Sequence, residues 1–224
     1  MKATGRKLRQ YYLSSINMYS HKKDVVSSGV PLKDAKRALI MLHGRGATPE
    51  SIISLKEHLY LIDTAILAPR AANNSWYPYS FMAPADDNQP ALDSALSVIN
   101  EVVDDIVAEG IQRENIYFLG FSQGACLALE YVTRHADSYG GVMAFTGGLI
   151  GKDIDKGNYS GDFNNTPVLI TTGDPDPHVP VSRVEESVGI MRSMNAKVEL
   201  KVYRGRVHTI QMEELDLANE LVLV

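Results

Sequence analysis

The stretch Gly120-Phe121-Ser122-Gln123-Gly124 decides the fold that we predict for this chain. A Gly-x-Ser-x-Gly pattern between a strand and a helix is typical of a nucleophile elbow. This turn is so tight that the positions two residues before and after the serine have almost no room for side chains. Gly120 and Gly124 meet that demand. The turn would lift the Ser122 hydroxyl clear of the sheet and aim the first helical amides at a reacting carbonyl.

The sequence on either side of this stretch supplies the strand and the helix. Residues 115–119, NIYFL, are apolar and aromatic over the length of a buried strand, and residues 125–132, ACLALEYV, are typical of a helix. The plainer alternative is a turn in which the serine only caps the helix. The strand before the turn and the helix after it favour the nucleophile.

Composition limits both the number of domains and the kind of partner. With 224 residues, of which 45% are hydrophobic, we expect one domain over residues 1–224. The formal net charge of -5 argues against a nucleic-acid binder, which would need a basic face. Residues 1–15 form a basic lead-in without the apolar run of a secretory signal, and no stretch is long and apolar enough for stable membrane insertion.

The single cysteine, Cys126, cannot form an internal disulfide, which suits a reducing compartment, so we expect a cytoplasmic protein. We interpret Cys126 as a buried structural thiol just inside the helix. The histidines form no metal-ligand pattern with Asp, Glu or Cys, so we expect no metal and no cofactor. The sequence does not decide between a monomer and a homodimer.

Strands and helices alternate along the rest of the chain. This alternation predicts right-handed crossovers and a mostly parallel central sheet with helices on both faces, an α/β fold without a large cap domain. Ligands of such sheets bind beyond the carboxyl ends of the strands. The predicted strands cover 37–42, 65–68, 115–119, 139–145, 166–172 and 197–203, and the predicted helices cover 49–58, 90–109, 125–132 and 181–194, followed by a final helix.

Residues able to carry chemistry follow these strands in the order serine, acid, histidine, which is the chain order of an α/β-hydrolase triad. We therefore predict Ser122 as nucleophile, His208 as general base and Asp176 as the carboxylate that orients the histidine. Asp174 competes with Asp176 for the acid position, and His178 competes weakly with His208. His43, Ser122, Asp176 and His208 each follow a predicted strand directly, so these four residues should gather at one edge of the sheet.

Two further segments bear on the site. Residues 43–46, HGRG, follow a central strand with flexible backbone, where an amide can face the nucleophile as part of an oxyanion hole. We interpret His43 as holding that turn through its ring nitrogens rather than as a base. Residues 70–90 form a long loop that is too aromatic for disorder, so we expect it to wall a pocket. The predicted pocket residues are His43, Trp76, Tyr77, Phe81 and His178.

Together these motifs resemble the phospholipase/carboxylesterase family of α/β-hydrolases, which includes the acyl-protein thioesterases. The resemblance covers residues 31–224 and implies the α/β-hydrolase fold and the Ser122, Asp176 and His208 triad. It also implies that the backbone amides of Arg45 and Gln123 form the oxyanion hole. The matching motifs are HGRG (43–46), WYP (76–78), GFSQG (120–124), GDPDPHVP (173–180) and GRVH (205–208).

The chain departs from the thioesterase members of that family at two places. Ala47 stands where they typically have an aspartate, and Tyr77-Pro78 replaces their Phe-Asp. The variant motifs are similar to small bacterial esterases, so the leading hypothesis is a serine hydrolase whose partner is a small or medium ester. The alternatives are a lysophospholipase or acyl-protein thioesterase with the same triad, and a non-catalytic binding module. A role like that of dienelactone hydrolases is disfavoured because those enzymes carry cysteine at the elbow.

Overall fold

The computed structural model describes residues 20–223, so the basic lead-in lies outside the described residues. Seven strands form one sheet in the order β1-β3-β2-β4-β5-β6-β7, and only β1 runs antiparallel to its neighbour. The mostly parallel sheet predicted from the sequence is confirmed. The strands are β1 (Val25–Gly29), β2 (Arg37–Leu42), β3 (Thr64–Pro69), β4 (Ile116–Phe121), β5 (Gly141–Phe145), β6 (Pro167–Asp174) and β7 (Lys197–Arg204).

The α-helices of the described range cover both faces of this sheet. They are α1 (Pro49–Ile53), α2 (Ala91–Ala108), α3 (Gln123–Arg134), α4 (Val181–Ser193) and α5 (Met212–Leu221). Helices α2, α3 and α4 share one hydrophobic core, whereas α1 and α5 pack into a second core on the opposite face. Within residues 20–223, no helix is long and apolar enough to cross a membrane.

Strand β2 shows why the sheet is buried on both faces. Its residues 38–42 have no exposed surface, and their side chains alternate between the two cores. Such a strand must be apolar throughout, and for that reason an unbroken apolar run in the sequence predicted it.

The first helix differs from its prediction. We expected one helix over residues 49–58, but α1 ends at Ile53 and the chain continues as a 3₁₀-helix over Ser54–His58. The start of α1 is as predicted, because Thr48 caps it by accepting a hydrogen bond from the Ser51 amide and Pro49 occupies the first turn.

The turn between β4 and α3 is packed so closely that it has no room for side chains at its two glycines. A β-carbon on Gly124 would collide with the backbone carbonyl of Leu42 in β2, and one on Gly120 would collide with the carbonyl of Gly124. Between them, Ser122 adopts φ 54° and ψ -117°, a conformation that non-glycine residues rarely adopt. The geometry is that of the nucleophile elbow expected from the sequence.

Replacing Gly124 with alanine should therefore damage the fold. We expect Gly124→Ala to lower the free energy of unfolding by at least about 2 kcal/mol, because the methyl group has no space against β2. Urea unfolding followed by circular dichroism measures this change. The control is Gly189→Ala in α4, where an added β-carbon meets nothing within 4 Å and should stabilise the helix by about 0.5–1 kcal/mol. Equal stability of Gly124→Ala and the wild type would contradict this packing argument.

Candidate active site

Three of the predicted side chains meet beyond the carboxyl ends of β4, β6 and β7. The His208 ring lies between the other two, with Nε2 at 2.8 Å from the Ser122 hydroxyl and Nδ1 at 2.8 Å from Asp176 Oδ2. They form one continuous hydrogen-bonded path from carboxylate to hydroxyl. This arrangement allows the imidazole to accept the serine proton while the carboxylate stabilises its charged form.

Asp176 rather than Asp174 supplies the carboxylate of this path. The Asp176 side chain has no exposed surface, and its Oδ1 accepts hydrogen bonds from the amides of His178 at 2.8 Å and Val179 at 2.9 Å. Burial alone would raise the Asp176 pKa, but the hydrogen bonds from His208 and the two amides outweigh it and lower the pKa. Asp174, by contrast, is exposed at the end of β6.

A buried glutamate fixes the segment that carries His208. Glu214, in the first turn of α5, forms an ion pair with Arg206 at 2.8 Å, and its second oxygen accepts a hydrogen bond from Thr171 in β6. It also accepts a hydrogen bond from the backbone amide of Gln211. Sequence reasoning missed Glu214, although a glutamate three residues after the N-cap position Gln211 is the signature of a capping box.

The turn at residues 43–46 lies against the nucleophile. A β-carbon on Gly44 would be 3.6 Å from the β-carbon of Ser122. The backbone amides of Arg45 and Gln123 donate no hydrogen bond to any residue within 20–223, and Gln123 opens α3, where amides have no acceptor inside the helix. The turn beside Ser122 and the residue after Ser122 thus each carry an amide without an acceptor among residues 20–223, which is the kind of donor that an oxyanion hole uses.

Two of the predicted pocket residues do not face the pocket. Trp76 and His43 both have no exposed surface, and the indole Nε1 donates a hydrogen bond to the His43 carbonyl at 2.9 Å. The Trp76 ring lies between His43 and His21, with centroid distances of 5.1 and 5.5 Å. The prediction that Trp76 and His43 line the substrate pocket was wrong, because these rings are fully buried and pack against one another.

His21 and His43 hold the start of this loop through both ring nitrogens. His43 donates to the Gly44 carbonyl and accepts from the Ala71 amide, which confirms the interpretation that it holds its turn. His21 donates to the Trp76 carbonyl and accepts from the Ala72 amide. Burial lowers the pKa of both rings, and this effect exceeds the opposing effect of the hydrogen bonds to the carbonyls.

The side chains of Gln123 and Arg45 hold the middle of the loop, at residues 76–79. Gln123 accepts a hydrogen bond from the Trp76 amide and donates one to the Tyr77 carbonyl, at 2.9 and 2.8 Å. Arg45 donates to the carbonyls of Pro78 and Tyr79 at 3.0 and 2.7 Å. No local pattern predicts these side-chain roles, since each contact joins residues more than 30 positions apart.

A cavity of about 650 Å³ opens beside Ser122 and His208. It is lined by the three other predicted pocket residues, Tyr77, Phe81 and His178. Sequence reasoning did not place Cys126 here, although it correctly predicted that the thiol is buried. The remaining lining residues are Arg45, Pro78, Tyr79, Ser80, Gln123, Pro177 and Val179.

The chain is similar to known proteins in both sequence and structure. Residues 21–222 match the sequence model of the family described as Phospholipase/Carboxylesterase. A probable SOBER1-like carboxylesterase of Arabidopsis thaliana is 28% identical over 91% of this chain and 87% of its own length. An acyl-protein thioesterase 1 of Kluyveromyces lactis is also 28% identical, over 81% of this chain and 88% of its own. The crystal structure of a phospholipase/carboxylesterase from Dyadobacter fermentans is 61% identical, covers 92% of this chain and 99% of its own, and superposes with a TM-score of 0.91.

The buried histidines should make stability depend on pH. Because their pKa values are lower in the folded protein, the unfolded chain binds more protons below about pH 6.5, and stability is lost as the pH falls through that value. Each ring can contribute at most about 1.4 kcal/mol per pH unit. We expect His21→Leu to reduce the slope of the unfolding free energy between about pH 6.5 and 5. Urea titrations at several pH values measure the slope, with His58→Leu at an exposed position as control. An unchanged slope in His21→Leu would contradict the conclusion that burial lowers the pKa of the His21 ring.

Proposed function

Because this chain belongs to the phospholipase/carboxylesterase family, we propose that it hydrolyses carboxylic esters of small to medium size through Ser122, His208 and Asp176. The family makes the protein a carboxylesterase/phospholipase-type hydrolase, and the proposal adds the residue roles and the substrate size. The observation that carries it is the continuous hydrogen-bonded path from Asp176 through His208 to Ser122, at the mouth of the cavity.

In the proposed reaction, Ser122 Oγ attacks the ester carbonyl while His208 Nε2 takes its proton. The carbonyl oxygen becomes an oxyanion and accepts hydrogen bonds from the amides of Arg45 and Gln123. The intermediate then collapses, the bond to the alcohol breaks, and His208 returns the proton to the departing alkoxide. Water repeats these steps on the acyl-enzyme and releases the acid, so no cofactor is consumed.

Typical contributions to the rate can be given for two parts of the proposed site. General base catalysis by a positioned imidazole contributes about 10²- to 10⁴-fold. Each oxyanion-hole donor contributes about 3–4 kcal/mol, and most of all where the donors need no reorganisation. In this proposal the amides of Arg45 and Gln123 meet that condition, since the side chains of the same two residues are hydrogen-bonded to the loop at residues 76–79.

The cavity supports a small to medium substrate. Its volume of about 650 Å³ lies within the range of pockets that enclose small organic ligands, and the rings of Tyr77 and Phe81 form part of its wall. A thioesterase is the second candidate, because one relative is named an acyl-protein thioesterase and a thioester would use the same triad. Ala47 and Pro78 favour the ester, as they replace residues typical of the thioesterases. A cytoplasmic location and a reaction without cofactors stay predictions from the sequence.

A p-nitrophenyl ester series from acetate to palmitate tests this function. We expect the highest kcat/KM at short acyl chains, because the cavity is of limited size. Ser122→Ala should lower kcat by about 10⁴-fold or more and leave the circular dichroism spectrum unchanged. A peak at long chains would favour the lysophospholipase or thioesterase alternative. Near-normal turnover by folded Ser122→Ala would refute the assignment of Ser122, His208 and Asp176 as the catalytic triad. A folded wild type that is inactive on every ester would favour the non-catalytic binding module.

The two aspartates give an internal comparison for the acid. Asp176→Asn should lower kcat by about 10³-fold or more, because an amide cannot stabilise the charged His208 ring. Asp174→Asn makes the same chemical change at an exposed position two residues earlier, and we expect less than about a threefold effect on kcat. Steady-state kinetics on the best ester of the series measure both variants. The opposite ranking would transfer the acid role to Asp174.

A further inference from the structure

The side chain of Arg45 brings a positive charge to the wall of the cavity beside Ser122. Arg45 is exposed, and its guanidinium donates hydrogen bonds to the carbonyls of Pro78 and Tyr79 at 3.0 and 2.7 Å. The guanidinium carbon lies 6.0 Å from the centre of the Tyr77 ring. Arg45 and all three of these neighbours line the cavity. The charged group therefore lies among residues of the cavity wall and is open to solvent.

Two donors of this guanidinium remain without an acceptor. An arginine side chain carries five N–H groups in one plane. The two on Nη1 donate to the Ser75 hydroxyl at 2.9 Å and to the Pro78 carbonyl, and one on Nη2 donates to the Tyr79 carbonyl. The N–H of Nε and the second N–H of Nη2 have no acceptor among residues 20–223. Because three hydrogen bonds hold the planar group, its two free donors keep a fixed direction.

No carboxylate of the described chain neutralises this charge. Within residues 20–223, Arg45 forms no ion pair, and it is the only lysine, arginine, aspartate or glutamate that lines the cavity. Asp176 has no exposed side-chain surface and does not line the cavity. Residues 1–19 contain no aspartate or glutamate, so their side chains cannot supply the missing anion. The cavity wall is thus positively charged, although the whole chain has a net charge of -5.

We propose that Arg45 selects substrates that carry a carboxylate besides the ester, namely half-esters of dicarboxylic acids or esters of hydroxy acids. The inference rests on the proposed function and names a substrate class within it. A carboxylate suits the free donors because its two oxygens lie in one plane and carry the opposite charge. The backbone amide of Arg45 is a proposed oxyanion donor, so the guanidinium lies within one side-chain length of the reacting carbonyl. A carboxylate a few bonds from that carbonyl can therefore reach it.

Matched pairs of esters test this directly, because they differ only in a methyl group that replaces one oxygen of the carboxylate. On the acyl side, methyl hydrogen succinate is compared with methyl levulinate. On the alcohol side, acetoxyacetate is compared with acetoxyacetone. For each pair, the ratio of kcat/KM for the charged ester to kcat/KM for the neutral ester is measured in the wild type, Arg45→Gln and Arg45→Lys. Comparing this ratio between proteins cancels the intrinsic reactivity of the esters.

We expect Arg45→Gln to lower the ratio at least about fivefold in one or both pairs, mainly through KM, because it removes the charge that binds the carboxylate. Arg45→Lys keeps the charge without the planar donors, so its ratio should lie between those of the wild type and Arg45→Gln. The pair that responds identifies the half of the ester that contacts Arg45.

The ratio separates a binding role from a structural one, because Arg45 also holds the loop at residues 76–79. A loosened loop would lower kcat/KM for the charged and the neutral ester alike. Equal ratios in the wild type and Arg45→Gln for both pairs would therefore overturn the inference and leave the proposed function intact. A wild type inactive on these esters and on the p-nitrophenyl series would instead refute the proposed function.

Two controls separate a local ion pair from the net charge and from misfolding. Lys33→Gln makes the same change in net charge at an exposed position outside the cavity wall, and its ratios should equal those of the wild type. A fall as large as that in Arg45→Gln would overturn the inference. Added salt should lower the wild-type ratio, because it screens an ion pair that is open to solvent. This measurement needs no variant, so it decides even where Arg45→Gln does not fold, and a wild-type ratio independent of salt would overturn the inference.

Discussion

The close approach of the Gly124 backbone to the carbonyl of Leu42 is the contact on which the site depends. It presses α3 against β2, and only glycine fits between them. The chain must then turn within a few residues, which holds Ser122 at a positive φ that costs about 1–3 kcal/mol of strain. The surrounding buried strands supply the stability that keeps it there. This strained turn serves the site, because the Ser122 hydroxyl reaches His208 and the first amide of α3 has no acceptor within residues 20–223.

Polar side chains, most of them buried, hold the loops around this rigid turn. Glu214 fixes the segment that carries His208, while Gln123 and Arg45 clamp the loop that forms the cavity wall. His21 and His43 hold the start of that loop as neutral rings. Hydrogen-bonded and ion-paired networks of this kind stiffen a site, since a polar group left alone in the interior is costly. The site residues lie on loops, and these polar contacts, rather than stiffness of the loop backbone, hold them in position.

The parts of this architecture that depend on local sequence were predictable, and those that depend on distant contacts were not. The apolar run of β2 and the glycine spacing around Ser122 predicted the sheet and the elbow, because burial on both faces and a tight turn each restrict residue type. Trp76 was misplaced, since a loop that contains an aromatic residue has the same composition whether that ring faces a cavity or packs against two histidines. Glu214 was missed because its partners come from separate segments that only the fold brings together.

The central claim is that the elbow makes Ser122 the single activated nucleophile of this protein. A fluorophosphonate reagent tests this claim directly, because it phosphonylates a serine only where a base removes the proton and an oxyanion hole accepts the developing charge. Intact-mass spectrometry followed by peptide mapping should find one phosphonyl group per chain, attached to Ser122. An unmodified protein, or a label on another residue, would contradict the account.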